Sequence, residues 1–458
     1  MIEWIRQAHQ VAQCPICQTA DNQTLLLKVT SQTSGQVSDL YTCSGCESHF
    51  YSPMVRMPPS NTVIDRYAQC YMEVGAGIPS IIKPIVFMNV PKGVKKKYID
   101  VGCGFGYSVD YTSRELEWDA IGLEPSPMGV VGKSLLKVPI YNDFFENIPF
   151  LQSTAFDVMY TSEVLEHVDD PIAFLQMLRS RLAPQGMLIT ATPNAETVNP
   201  DTGISLLMAI LSPHSHTVLF SEKALRHVLE KLSLPHMDLV RHGHQLVAHA
   251  SESAFELDRN EARANFVYLE YLVSAASRHS DQAPLLIGFL SRAMKMAVNM
   301  EMFPLAESIE RKLVQAIRRA YRIDIYNENI IRNLIAPLSA FVDLGTFLPY
   351  SLFSIYYYIG CIAMNAERYA DAAKYFNLGF DVSKKFLEIG SRFFPEADEL
   401  LWQFRFMMGL SLYRGGKVHE SAIIMKSILA VAHDSGSRFY SPPRKDLLNK
   451  VYPMFQRQ

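Results

Sequence analysis

Between Lys97 and Tyr107 a short apolar run leads into Asp100-Val101-Gly102-Cys103-Gly104-Phe105-Gly106, with glycine at alternate positions ahead of a helix that starts near Tyr107. Glycine at such positions lets the main chain come close to a ligand and leaves N–H groups at a helix N-terminus. The spacing is G-x-G-x-G rather than the G-x-G-x-x-G of a dinucleotide site, which counts against an NAD-dependent oxidoreductase. A carboxylate at Asp100 repels a pyrophosphate and suits a cationic amino-acid ligand. About twenty residues on, the strand-like Ala120-Ile121-Gly122-Leu123 ends in Glu124, where folds of this kind hold a ribose diol. A third strand, Val138 to Tyr141, is followed by Asn142-Asp143-Phe144.

A second chemical signal lies near the N-terminus. Cys14-Pro15-Ile16-Cys17 and Cys43-Ser44-Gly45-Cys46 are two C-x-x-C pairs flanking a hairpin-like stretch. Two thiolates on one tight turn face one ion, and two such turns complete a tetrahedral Zn2+ site. Gly45 gives its turn flexibility. Four protein thiolates leave no open position, so the zinc is expected to be structural, worth on the order of 10 kcal/mol to a small domain. A redox role is disfavoured because neither pair sits between a strand and a helix. Cys70, Cys103 and Cys361 are expected to be free thiols.

The elements that must position these groups fall into three regions. Residues 1–90 hold the cysteine pairs and form a zinc-ribbon-like region. Residues 91–253 alternate strand-like apolar runs with amphipathic helical stretches, the pattern of an α/β sheet with helical crossovers. Residues 254–458 show apolar residues at three- and four-residue spacing and form an all-α region. At 458 residues and 48% hydrophobic content, the chain has material for several cores, which excludes disorder as its dominant state. Its 43 Lys and Arg against 46 Asp and Glu provide no global basic field, so nucleic acid is not an expected partner. No apolar run is long enough to span a membrane, the first residues lack a signal-peptide core, and a cytoplasmic location is expected.

The helical region carries repeated small residues between aromatics. Tyr356-Tyr357-Tyr358-Ile359-Gly360 is followed by Tyr369, Ala372, Phe376 and Gly379; Met408-Gly409 and Leu412 are followed by Val418, Ser421 and Met425. Met294 to Ala316, with Phe303 and Ala306, offers a third copy. Small residues let paired helices pack closely, the logic of a tetratricopeptide-like repeat, and such arrays bind partners. An irregular bundle is the alternative.

Further motifs follow in order: Phe156-Asp157, then Ser162-Glu163-Val164-Leu165-Glu166-His167, then the turn and strand Pro184 to Asn194. Over roughly Lys95 to Ser251 the sequence resembles the class I S-adenosyl-L-methionine-dependent methyltransferases. The resemblance implies a Rossmann-like sheet. It places Asp100, Gly102, Cys103 and Gly104 against the methionine part of the cofactor, Glu124 on the ribose, Asp143 and Phe144 at the adenine, and Ser162 near the methyl group. Pro213-His214-Ser215-His216-Thr217-Val218-Leu219-Phe220-Ser221 resembles a segment common in one subgroup, and the cysteine ribbon recurs in a branch that contains sugar C-methyltransferases. The helical half departs from that branch's usual ending.

The cofactor's sulfonium is already electrophilic, so such an enzyme must align an acceptor and remove its proton. His216 and Glu163 are the general-base candidates, with a packing histidine as the alternative for His216. His167 is expected to be structural, and His227, His242, His244 and His249 incidental. The stretch Val198 to His216 is expected to be a lid or acceptor-binding insertion, or else a packing helix. Together these readings describe a methyltransferase acting on O, C or N of a small-molecule or glycan-type acceptor, with helical repeats that recruit the acceptor or a protein partner. The contrasting reading is a non-catalytic scaffold with a degenerate methyltransferase fold.

Overall fold

The computed structural model describes residues 2–5, 8–31, 35–54, 64–75, 78–91 and 93–432. The expected helical region therefore has its last stretch, 433–458, outside the described residues. Packing groups the chain into two compact units. One comprises residues 1–64, 77–199 and 209–264; the other comprises 65–76, 200–208 and 265–458.

The first unit is built on a seven-stranded sheet of β1 (Lys97–Val101), β2 (Asp119–Leu123), β3 (Ile140–Tyr141), β4 (Phe156–Ser162), β5 (Leu182–Pro193), β6 (His236–His242) and β7 (Gln245–Ser251). Their spatial order is β6-β7-β5-β4-β1-β2-β3. β1 to β5 run parallel, and β7 inserts antiparallel to both β5 and β6. Tyr98, Ile99 and Val101 of β1 are buried on both faces, as expected of a central parallel strand covered by helices. The crossover helices begin with strong stop-and-start chemistry. Ser126 accepts the Met128 N–H ahead of Pro127, and Asp170 accepts the Ala173 N–H ahead of Pro171. The chain leaves β1 toward β2 and β3, then returns to the other side for β4. That reversal opens a crevice at the carboxyl ends of β1, β2 and β4, where open α/β sheets bind ligands.

A second sheet carries the cysteine pairs. Its strands are Ile2–Trp4, His9–Val11, Asn22–Thr30, Val37–Thr42, His49–Tyr51 and, from far along the chain, Val218–Leu219. Val218 pairs with Phe50 and Leu219 with His49, antiparallel. The Ser221 hydroxyl donates to the Cys46 carbonyl, and the Ser221 N–H donates to Ser48 Oγ. The segment after His216 is thereby an edge strand of the ribbon, and one contiguous core runs from Cys14 and Phe50 to Phe220 and Leu225.

The second unit is helical. Three hairpins among the described residues share one turn: Ala283–Asn299 with Phe303–Tyr321, Leu352–Asn365 with Tyr369–Gly390, and Pro395–Arg414 with Val418–Ala432. In each, a residue of left-handed φ (Glu301, Glu367, Gly416) precedes a residue whose N–H closes the helix end on the carbonyl five positions back, Met302 N–H to Ala297 O, Arg368 N–H to Ala363 O, and Lys417 N–H to Leu412 O. The small residues pack as their positions require. A Cβ on Gly360 would lie 2.5 Å from the Phe376 ring, and one on Gly379 would lie 2.1 Å from the Phe404 ring. Residues 65–76, most of the helix Ile64–Val74, also group with this unit. Arg292 Nη1 donates to the Met72 carbonyl, and buried Glu73 accepts from Tyr321 and from the Tyr350 N–H.

Candidate active site and cysteine centre

A cleft of about 420 Å³ opens at the carboxyl ends of β1, β2 and β4. Its wall includes Gly102, Glu124, Asp143, Phe144, Glu163 and His167. Of the residues singled out in the sequence, the structure therefore brings together Gly102, Glu124, Asp143, Phe144 and Glu163. Asp100, Cys103, Gly104, Ser162 and His216 do not line it.

Glu124 follows β2 and acts as a brace. Its Oε2 accepts the Gly104 N–H at 2.8 Å and its Oε1 accepts the Ser126 N–H at 2.9 Å. Each carboxylate oxygen retains a second lone pair for an incoming hydroxyl. The glycine loop is wound tightly rather than left open. Gly102 and Cys103 N–H groups both donate to the Leu123 carbonyl, and Gly106 N–H donates to Cys103. Its glycines serve conformation and space: Gly106 has φ 90° at the start of helix Tyr107–Arg114, and a Cβ on Gly102 would lie 2.3 Å from Val164. Cys103 turns inward, with its sulfur where a Cβ on Gly122 would stand, and burial pushes its thiol pKa up.

Asp100 lies beneath the loop, fully buried. The Ser108 hydroxyl donates to its Oδ2, Oδ1 meets no donor, and burial, reinforced by the Glu124 charge, pushes its pKa up to about 7. Asp143 is exposed. Its Oδ1 accepts from Asn147 and from the Phe144 N–H, and the Asn147 bond leads in holding its pKa below the usual carboxylate value. The Phe144 ring is 61% exposed at the cleft wall, a large apolar face left for a planar ligand.

At the end of β4 the Ser162 hydroxyl is buried without a partner. Glu163 next to it takes a left-handed φ of 57°, Gln245 Nε2 donates to its Oε1 at 2.6 Å, and burial raises its pKa to about 7. His216 is buried, its Nδ1 bonds to the Ile210 carbonyl at 2.7 Å, and burial lowers its pKa to about 3. It meets the His167 ring edge-on at 4.7 Å between centroids, and it is His167 that reaches the cleft. His167 is the residue that sequence reasoning set aside. Its position directly after Glu166, at the mouth of β4, was the available signal. The stretch after Val198 folds as the helix Ile204–Leu211, whose last carbonyl accepts the Tyr51 hydroxyl at 2.8 Å. His249 is buried in β7 with Nε2 on the Pro84 carbonyl.

In the ribbon, Cys14, Cys17, Cys43 and Cys46 place their sulfurs within 4.8 Å of one another. Cys14 and Cys46 are 3.6 Å apart and Cys17 and Cys43 are 3.4 Å apart, close to the roughly 3.8 Å edge of a tetrahedron with 2.3 Å zinc–sulfur bonds. The two knuckles repeat one geometry. Gln18 and Glu47 both have left-handed φ, and their N–H groups donate to the Cys14 and Cys43 carbonyls. Gly45 is required by space rather than by flexibility, since a Cβ there would lie 2.6 Å from Thr19 Oγ1. Gly45 and Cys46 N–H groups point at Cys43 Sγ, the outer contacts that support a thiolate ligand. The donor set fits a structural zinc.

Residues 79–234 match a family model described as a methyltransferase domain. Those residues form a methyltransferase domain, and the comparisons support the class I S-adenosylmethionine-dependent kind. The chain is 31% identical over 108 residues to the ubiquinone biosynthesis O-methyltransferase of Actinobacillus pleuropneumoniae, covering 22% of this chain and 46% of that protein. It is 34% identical over 107 residues to the tRNA U34 carboxymethyltransferase of Alteromonas mediterranea, covering 21% of this chain and 32% of that one. The chain thus spans less than half the length of these curated relatives. Among solved structures, an O-methyltransferase family protein from Burkholderia thailandensis aligns at 13% identity and a TM-score of 0.34, over 41% of this chain and 59% of that one.

Proposed function

We propose that the protein transfers the methyl group of S-adenosyl-L-methionine to O, C or N of a small-molecule or glycan-type acceptor bound in the cleft at the ends of β1, β2 and β4. The observation that carries this reading is the pair of carboxylates in one cleft wall: Glu124 on the side of the glycine loop and Glu163 at the mouth of β4. Glu124 takes the ribose hydroxyls while bracing Gly104. Asp100 complements the cationic methionine end from beneath the loop of Gly102, Cys103 and Gly104. Asp143 and Phe144 would hold the adenine, and the strand end at Ser162, with Glu163 in the cleft wall, would border the transferable methyl group.

When bound, S-adenosylmethionine would supply a methyl group whose S–CH3 electron pair stays on sulfur as the acceptor bond forms, and Glu163 would take the acceptor's proton. Glu163 suits that task because it faces the cleft and Gln245 fixes its carboxylate. His216 acts behind His167 as a positioning residue. The naming of the Actinobacillus relative as an O-methyltransferase favours a hydroxyl acceptor.

The four ribbon cysteines hold one Zn2+, which with four thiolates supplies structure and no chemistry. The helical unit is a tetratricopeptide-like array, supported by the three hairpins with one shared turn, and it recruits the acceptor or a protein partner. The test is formation of S-adenosylhomocysteine across a panel of hydroxylated small molecules and glycans. Turnover that falls by about 10²- to 10⁴-fold in Glu163→Gln with cofactor affinity retained supports the assignment; unchanged turnover in that variant removes Glu163 as base.

A further inference from the structure

Glu166 is completely buried at the mouth of β4, yet only one of its oxygens is satisfied. Oε2 accepts the Thr192 hydroxyl at 2.9 Å, while Oε1 meets no donor. A buried acid with an unmet oxygen is costly unless something answers it. The facing atom is His167 Nε2, 4.0 Å from Oε1, beyond hydrogen-bond reach. Two ligands of one ion, each at roughly 2.0–2.2 Å from it, stand about 3.3–3.6 Å apart at the tetrahedral angle, so the pair would close by about half an ångström around a bound cation. His216 adds a third donor, and the three ligand atoms lie within 4.8 Å of one another.

Both histidines hold Nδ1 against a main-chain carbonyl. His167 Nδ1 is 3.1 Å from the Ser215 carbonyl and His216 Nδ1 is 2.7 Å from the Ile210 carbonyl. A carbonyl only accepts, which favours a proton on each Nδ1, the Ser215 hydroxyl being a second neighbour of His167 Nδ1 at 3.3 Å, and leaves each Nε2 as the ligand atom. Imidazoles that bind metals are held in this manner, with the second nitrogen donating to a carbonyl or carboxylate. The two loops involved are laced together: the Thr217 N–H donates to the Glu166 carbonyl, and the Thr217 hydroxyl bonds the Glu166 and Val168 carbonyls at 3.0 Å.

We propose that Glu166, His167 and His216 bind one divalent transition-metal cation beside the methyltransferase cleft, a second metal site separate from the cysteine centre. Two imidazoles and one carboxylate suit Mn2+, Fe2+, Co2+ or Zn2+ and leave coordination positions open. Because His167 lines the cleft, those positions are reached from the acceptor side. The metal site stands on its own geometry. Only its relevance to methyl transfer rests on the function proposed above.

The test is titration of Mn2+ alone into full-length protein brought by mild chelation to one zinc per chain, retained at the cysteine centre and verified by metal analysis, read by the electron paramagnetic resonance of free Mn2+. One Mn2+ is expected per chain in addition to the ribbon zinc, with affinity falling at least tenfold in Glu166→Gln and in His167→Gln. Glu166→Gln keeps side-chain volume and an acceptor for Thr192, so an unchanged melting temperature in metal-free buffer shows that the variant is folded. A folded protein that binds no Mn2+, or variants that bind it as tightly as the parent, overturns the site. A separate titration with S-adenosylmethionine keeps that outcome distinct from failure of the methyl-transfer reading.

Discussion

The Glu124 carboxylate accepts the main-chain N–H of Gly104 at 2.8 Å, tying the end of β2 to the glycine loop after β1. One side chain therefore shapes the loop and faces the cleft where the ribose would lie. Hydrogen bonds to charged groups contribute about 1.5–3 kcal/mol each. Glu124→Ala is expected to weaken S-adenosylmethionine binding by about 10- to 100-fold in a calorimetric titration. Glu124→Gln is expected to lose less, because it keeps an acceptor for one of the two N–H groups.

Asp100 is expected to make cofactor binding depend on pH. Its folded-state pKa is raised to about 7, mainly by burial. A cationic ligand favours the ionised form, so affinity should rise as pH climbs through about 7 and level off above it. Stability of the unliganded protein runs the other way. Between the ordinary carboxylate value and about 7 the folded state holds the extra proton, so this group's contribution falls as pH rises through that window. Titrations from pH 6 to 8.5 should show both slopes, and Asp100→Asn should flatten both.

Val218 and Leu219 are an edge strand of the ribbon, which couples the four-cysteine centre to the segment bearing His216. Metal analysis is expected to find ribbon zinc that Cys14→Ser reduces. In that variant, hydrogen exchange at residues 213–221 should speed up and methyl transfer should fall more than cofactor affinity, because Glu124 and the glycine loop lie on the main sheet. Unchanged exchange at 213–221 in zinc-depleted protein would sever the proposed link.

In the helical unit, Gly379 sits where a Cβ would come within 2.1 Å of the Phe404 ring, whereas Gly203 has nothing within 4 Å. Gly379→Ala is expected to destabilise the protein by about 1–3 kcal/mol in urea unfolding, as overpacking does. Gly203→Ala should stay near zero. Equal effects at the two positions would argue against close helix packing at Gly379.

Features set by short spacing were legible in the sequence. The two C-x-x-C pairs, the glycine loop and Glu124 each depend on neighbours within one strand and turn, and the structure places Gly102, Glu124, Asp143, Phe144 and Glu163 in one cleft wall. What could not be read depends on distant partners. Val218 pairs with Phe50 across most of the first unit, and nothing in either segment names the other. His167 was assigned a structural role because only the fold brings Ser215 and His216 against it. The helix Ile64–Val74 lies near the cysteine region in sequence, yet residues 65–76 group with the helical unit because Glu73 is answered by Tyr321 and Tyr350. The main-chain N–H groups of the glycine loop were expected to be open to a ligand; those of Gly102, Cys103, Gly104 and Gly106 are instead spent within the protein.

The most direct test of the central claim is a calorimetric titration of the full-length protein with S-adenosylmethionine, S-adenosylhomocysteine and NAD. Micromolar binding of the first two, one per chain, with no binding of NAD, is the predicted result. A folded protein that takes up neither S-adenosyl compound would contradict the account and leave a scaffold that works through its helical repeats.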